Sequence, residues 1–243
     1  MGAFELRARG YERGWRWRLH REIADRTSAL VLRTVPDFGS VLDVGCGTGY
    51  LLRILARRCL SARWLDGIHP APSMVEVAAA QADDSRLNFV VGVAEQLPYP
   101  DESFDLIVST TSFDHWADQG AGLRECARVL RPGGRLLLVD LFSLWLTPTL
   151  LAGRRGNART KARAAGLLAG SGLRPLGWHD LYAVIINAVG AAKLSIQPLR
   201  QDPENDSGLD QEGDDGVTQG RVGAPGGLAS GAVGVEGPPN FEV

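Results

Sequence analysis

The chain has 243 residues, of which 44% are hydrophobic and 22% charged. These proportions fit a soluble α/β domain with a full core and exclude a low-complexity chain. The formal net charge of −2 hides an asymmetry: residues 201–243 carry nine acids and one base, while residues 1–200 carry 25 bases and 19 acids. A mildly basic excess of that size is no nucleic-acid footprint by itself.

Leu19, Ile23, Leu30, Val31 and Val35 recur at helical spacing, which predicts an amphipathic helix over 16–35, ended by Pro36. Strands and helices then alternate. "SVLDV" reads as a strand and "GYLLRILARRC" as a helix; "ARWLDGI" is a strand and "PSMVEVAAAQA" a helix with Pro72 at its start. "LNFVVG" and "FDLIVSTT" are strands, "GLRECARVL" a helix, "RPGG" a turn and "RLLLVDL" a strand. This βα repetition predicts a parallel sheet covered on both faces. After a helix in "KARAAGLLAGSGL", "RPLGWHDLY" and "AVIINAVGAA" are joined too closely for a crossover, so they pair antiparallel at one edge.

Residues 201–243 hold ten Gly and four Pro with a charge of −8, a composition expected to remain disordered. Three cysteines with no C-x-x-C pair argue against a disulfide framework or zinc site and for a reducing, cytoplasmic setting. The opening "MGAFELRARG" has no apolar run of a signal peptide, and Leu136–Leu146, broken by Asp140, is too short to span a bilayer.

"VLDVGCGTGY" places Gly45, Gly47 and Gly49 between a strand and a helix start. Gly45 and Gly47 let a ligand lie against the backbone, and the free N–H groups of the helix start favour a polar or anionic group. Dinucleotide folds want a third Gly three places after the second. Tyr50 stands there, which disfavours a pyrophosphate.

The ordered set "VLDVGCGTGYL", "APSMVEVA", "AEQLPYPDESFDLIVST", "FDHW" and "ECARVLRPGGRLLLVD" resembles the class I S-adenosylmethionine-dependent methyltransferases, specifically the small-molecule branch that includes the ubiquinone and menaquinone biosynthesis enzymes. The resemblance covers roughly residues 15–195. It implies an α/β, Rossmann-like, doubly wound and mostly parallel seven-stranded sheet ending in an antiparallel β-hairpin. The expected organisation is an N-terminal helical lid over 1–36, the cofactor-binding domain over 37–199 and the acidic tail over 200–243. It further implies that Asp43, Gly45 and Gly47 meet the methionine part of the cofactor, that Met74, Val93 and Ala94 border the adenine, that His69 stands at the ribose, and that Cys46 and Thr110 line the same site.

Two positions depart from the family pattern. Members commonly read "GIDxSPxM" where this chain reads "GIHPAPSM", so His69 replaces a ribose-binding acid. Asp66, three residues earlier, has the opposite strand parity and is a poor stand-in. Losing a charge-assisted hydrogen bond weakens binding by roughly 1–2 kcal/mol, tenfold or more. Members also read "GDAExLP" where this chain has Val93, so an adenine-binding acid is missing, with Glu95 nearby. These two losses motivate an alternative: a catalytically silent binding or scaffold protein on the same fold.

The chain after "DLIVST" lies at the carboxyl edge of the sheet, where ligands bind. In "TSFDHWAD" there, His115 is the candidate base for an acceptor hydroxyl and Asp114 would orient it or cap a helix. The bland alternative is that Phe113 and Trp116 pack over the cofactor while His115 only bonds the loop. His20 and His179 are further candidate bases. Trp145, Leu146 and Leu150 suggest an apolar acceptor pocket. The absence of "NPPY" or "DPPY" argues against amino-methylation of adenine bases, and that of a Pro-Cys nucleophile against C5 methylation of cytosine. Cys46 and Cys126 read as structural. The expectation is a monomer or homodimer with a small-molecule acceptor, no metal, no nucleic acid and no membrane.

Overall fold

The computed structural model describes residues 15–142, 160–182 and 185–194. The expectations for the acidic tail, for the residues before 15, and for Trp145, Leu146 and Leu150 lie outside these residues.

Strand β1 (Ser40–Val44) is buried along its whole length, as a central parallel strand covered on both faces must be. It pairs in parallel with β2 (Trp64–His69) on one side and β4 (Phe104–Thr110) on the other. β3 (Leu87–Val91) extends the sheet beyond β2, and β5 (Leu130–Leu141) beyond β4. β7 (Ile186–Lys193) enters antiparallel beside β5, and β6 (Leu173–Tyr182) pairs antiparallel with β7. Among the described residues the sheet therefore has seven strands in the order β3-β2-β1-β4-β5-β7-β6. This is the mostly parallel sheet with a terminal hairpin that the sequence predicts. The strand order reverses between β1 and β4, so their carboxyl ends flank the crevice where open α/β sheets bind ligands.

Helices cover both faces. Val41, Leu65, Leu106, Val108 and Val139 pack on one side with Ile23, Leu30 and Val31 of α1 (Trp15–Thr34) and Leu51, Leu52 and Leu55 of α2 (Tyr50–Arg58). Leu42, Ile68, Ile107, Leu136 and Leu138 pack on the other with Leu123 and Cys126 of α4 (Gln119–Val129) and Ala164 and Leu168 of α5 (Lys161–Gly170). α3 (Pro72–Ala80) follows β2 with Pro72 in its first turn. Asp118 and Thr160 cap α4 and α5, each side chain accepting a backbone N–H of the first turn. Among the described residues no helix is long and apolar enough to cross a membrane.

At the opposite end of the sheet one carboxylate braces three strands. Asp105 Oδ2 accepts from the backbone N–H of Gly39 (2.8 Å) and Ser40 (2.9 Å), and Oδ1 meets Arg131 (2.7 Å). Arg131 belongs to the "RPGG" segment, expected as a tight turn before the strand. In the structure it is an irregularity within β5: Phe104 pairs with Leu130 and Leu106 with Arg135, so residues 131–134 loop out between them. The helix expected to reach residue 173 stops at Gly170, and Leu173 already begins β6.

Gly67 in β2 has no space for a side chain. A Cβ there would lie 2.6 Å from the Phe89 ring and 2.9 Å from Cys46. Gly67→Ala should therefore cost roughly 1–3 kcal/mol of stability, seen as a lower thermal midpoint and a lower urea midpoint at unchanged slope. An unshifted midpoint would show that β3 and the neighbouring turn yield freely.

Candidate active site

The turn after β1 doubles back on β2: Gly45 and Cys46 both donate to the Ile68 carbonyl, at 2.8 and 3.1 Å. Gly45, Gly47 and Gly49 all take positive φ, at 87°, 56° and 74°. Their tasks differ. A Cβ on Gly45 would collide with the Ser112 hydroxyl, and one on Gly49 would lie 2.5 Å from the Phe89 ring, whereas a Cβ on Gly47 would meet nothing within 4 Å. The expectation that a ligand lies against both Gly45 and Gly47 thus narrows. Gly47 has open space in the Cβ direction, and Gly45 is small to admit Ser112. Ser112 Oγ donates to the Val44 carbonyl at 2.8 Å and lies 2.8 Å from Ser109 Oγ, tying the chain after β4 to the glycine turn. The sequence held no signal for Ser112, because its partner lies 68 residues away.

Asp43 and Thr110 sit on the α1–α2 face of the sheet. Asp43 pairs in register with Val108, and Thr110 lies two residues further along β4. Asp43 is 3% exposed, and burial pushes its carboxyl up to about 7. Among the described residues Asp43 Oδ1 and Thr110 Oγ1 are buried without a hydrogen-bond partner. Buried polar atoms are rarely left this way unless a ligand or water completes them.

Helix α1 lies over this turn. Tyr50 accepts from Arg21 Nε (2.8 Å), donates to Asp25 (3.2 Å) and meets the Trp17 ring edge-on at 5.3 Å. His20 Nδ1 lies 3.4 Å from Thr111 Oγ1, just past β4. Of the two secondary histidines, His20 is thus brought to the carboxyl edge. His179 sits on the edge strand β6, two strands beyond β5.

His69 ends β2 and is 8% exposed. Its Nδ1 accepts the Ala71 backbone N–H at 3.1 Å. Burial, reinforced by the nearby His115, pulls its pKa down to about 4, so the ring is neutral at pH 7. Asp66 lies on the opposite face, where burial raises it to about 6, as its strand parity requires. Met74 is 1% exposed, packed with Ala71 and Val77. Val93 is 41% exposed while Ala94 is buried. Glu95, two residues after Val93, accepts the Asp118 N–H on Oε1 at 3.0 Å. Cys46 is buried with its thiol pushed well above the usual range, which suits a structural residue.

His115 belongs to a short 3₁₀ turn, Phe113–His115. Asp140, at the end of β5, seats that turn: its Oδ2 accepts from the Asp114 N–H (3.2 Å) and its Oδ1 from the Leu141 N–H (2.7 Å). Gln119 holds the turn from the other side, donating to the Phe113 carbonyl at 3.1 Å. Phe113 and Trp116 meet edge-on at 5.2 Å. The His115 side chain is 43% exposed, with Nε2 3.5 Å from Asp114 Oδ1. Among the described residues no group of three or more His, Cys, Asp or Glu is placed to hold a metal ion.

Residues 42–138 match the methyltransferase domain family. The chain is 36% identical over 116 residues to demethylmenaquinone methyltransferase of Thermotoga maritima, a segment that is 48% of each protein. It is 42% identical over 124 residues to 27-O-demethylrifamycin SV methyltransferase of Amycolatopsis mediterranei, covering 49% of this chain and 43% of that protein. The chain thus spans about half the length of these curated relatives or less. A solved S-adenosylmethionine-dependent methyltransferase from Aquifex aeolicus superposes with a TM-score of 0.59 at 20% identity, over 71% of this chain and 92% of that one, and shares the fold. The match places a methyltransferase domain over residues 42–138, on a fold shared with a solved S-adenosylmethionine-dependent methyltransferase.

The site fits that cofactor on its own terms. A buried carboxyl without a partner beside a glycine turn open at Gly47 suits a nucleoside that carries an ammonium group. The linkage has a definite sign. A bound cation needs Asp43 ionised, and Asp43 holds its proton up to about pH 7. Affinity for S-adenosylhomocysteine should therefore rise with pH up to about 7 and then level, by at most roughly tenfold per pH unit. Calorimetric titration between about pH 5.5 and 8.5 checks this, and Asp43→Asn should weaken binding and flatten the profile. In the free protein the same group acts the other way. Folded Asp43 keeps a proton that the unfolded chain releases near its ordinary value of 3.8, so its contribution lowers stability as pH rises from about 4 to 7.

Proposed function

We propose that this protein transfers a methyl group from S-adenosylmethionine to an oxygen of a small-molecule acceptor, aromatic, quinone-like or polyketide-like in character. The orphaned Asp43 carboxyl beside the open glycine turn carries the cofactor half of this reading. The acceptor class rests on the relatives, one named for a demethylmenaquinone and another for a 27-O-demethylrifamycin.

In this reading Asp43, Gly45, Cys46 and Gly47 hold the methionine part, with the Thr110 hydroxyl on the same face as Asp43. His69 borders the ribose. Met74, Val93 and Ala94 border the adenine. When bound, S-adenosylmethionine supplies a methyl group already activated on a sulfonium, so positioning does most of the work. Helix α1, pinned on Tyr50 and reaching Thr111 through His20, acts as a lid that excludes water. His115 takes the proton from the acceptor hydroxyl. Asp114 orients its imidazole, and Asp140 with Gln119 fixes the turn that presents it.

Calorimetry with S-adenosylhomocysteine followed by a mass-spectrometric screen of phenolic, quinol and polyketide acceptors tests the reading. The expected result is binding and one productive acceptor class. No heat at millimolar ligand overturns it, and binding with no turnover on any acceptor favours the silent scaffold. With the acceptor in hand, His115→Ala should lower kcat by about 10²- to 10⁴-fold with S-adenosylhomocysteine affinity little changed. An undiminished kcat removes His115 as the base.

A further inference from the structure

The Asp43 carboxyl answers only one charge of an amino-acid group. Such a group also brings a carboxylate, which needs a cation of its own when it leaves water. Helix α1 supplies the candidates. Trp17, His20 and Arg21 are three and four residues apart, so they share one face of the helix. Trp17 and Arg21 meet Tyr50, the residue after Gly49, and His20 lies beside Thr111, just past β4. That face therefore spans the crevice between the carboxyl ends of β1 and β4, the strands that carry the unsatisfied Asp43 Oδ1 and Thr110 Oγ1.

Arg21 is aimed but not neutralised. Its Nε donates to the Tyr50 hydroxyl at 2.8 Å, and its guanidinium carbon stands 5.6 Å from the centre of the Tyr50 ring. Asp25 lies four residues further on, at the spacing of a helical ion pair. It bonds the same Tyr50 hydroxyl instead, accepting on Oδ1 at 3.2 Å. Among the described residues the guanidinium makes no contact beyond Tyr50, and the residue is exposed. Anchoring Nε leaves the end of the fork, where two terminal nitrogens present parallel N–H groups at the spacing of a carboxylate. The other cation at the turn, Arg53, is buried and donates to the Thr48 carbonyl, so it serves the turn itself.

Resting on the cofactor reading above, we propose that Arg21 receives the α-carboxylate of the cofactor, so that its amino-acid end is held between Asp43 on the sheet and Arg21 on the lid helix. Tyr50 is the positioning residue: its hydroxyl fixes the fork and keeps Asp25 from closing an ion pair with it. Gly47, between Asp43 and Tyr50 in the chain, has open space in its Cβ direction, so no side chain there shields one charge from the ligand that meets the other. The specificity that results is for ligands with a carboxylate next to the ammonium group.

The test compares, by calorimetry, the dissociation constant of S-adenosylhomocysteine with that of its decarboxylated analogue, which keeps the ammonium group and the thioether. The proteins are the wild type, Arg21→Gln and Arg18→Gln. The quantity read is the ratio of analogue to parent for each protein. The expected ratio is at least about tenfold in the wild type and falls to within about threefold in Arg21→Gln, through weaker binding of the parent. Arg18, three residues earlier on α1, is exposed, and its loss removes the same charge from the same helix. Arg18→Gln should keep the wild-type ratio.

A ratio that Arg21→Gln leaves undiminished overturns the proposal, as does an equal fall in Arg18→Gln, which would mark a diffuse field rather than a contact. The wild-type measurement is decisive without any variant: equal affinity for the two ligands overturns the proposal while leaving cofactor binding intact. Failure of the wild type to bind S-adenosylhomocysteine overturns the cofactor reading, and this proposal with it.

Discussion

Burying the Asp43 carboxyl at the carboxyl end of β1 is unfavourable for the free protein, and much of the site is arranged around that group. A carboxyl taken out of water wants either a cation or several N–H donors, and Oδ1 has none among the described residues. Its pKa rises to about 7 for that reason alone. The strand cannot relax to relieve it, because β1 is paired on both sides and covered on both faces. A cationic ligand that enters here is met by a group already desolvated. Such a group favours a cationic partner over water, which is where a site is expected to depart from the rule that buried polar atoms are satisfied.

The glycine turn that flanks Asp43 illustrates how little of such a site is devoted to ligand contact. Of its three glycines, Gly45 yields space to Ser112 and Gly49 to Phe89, while Gly47 alone has open space in its Cβ direction. The Ser112 hydroxyl bonds the Val44 carbonyl, so the segment after β4 is fastened to the end of β1. Tyr50, at the start of α2, carries the helix above through Arg21, Asp25 and Trp17. The glycine turn, helix α1 and the chain after β4 are therefore tied together by these contacts.

Local periodicity made the sheet legible in advance. The apolar strands, the βα alternation and the short link between the last two strands dictate both the parallel core and the antiparallel edge. The glycine turn and the opposite parity of Asp66 were legible for the same reason, since strand parity and motif spacing are local properties. What escaped was non-local. Asp140 seats the His115 turn from 26 residues away, and Ser112 reaches Val44 across 68. The glycines of "RPGG" predict a turn, but only the pairing of Phe104 and Leu106 on β4 shows that it is an irregularity inside a continuous strand. His69 stands out in the sequence as a departure from the family pattern, and the fold adds that its Nδ1 accepts from the Ala71 N–H.

Asp43 and Asp140 show why a raised pKa has no single meaning. Both are almost fully buried and both are lifted to about 7 by burial. Asp140 receives backbone N–H groups on each oxygen, from Leu141 and Asp114, and these partly offset the cost of its burial. Its carboxyl is committed to holding the 3₁₀ turn in place. Asp43 Oδ1 has no such donors, so the same desolvation leaves it waiting for a partner. The two acids stand at the carboxyl ends of β1 and β5, on either side of β4, yet one is committed to holding a turn and the other has an oxygen without a donor. Hydrogen-bond satisfaction, rather than the size of the shift, separates the carboxyl that holds a turn in place from the one left with an unsatisfied oxygen.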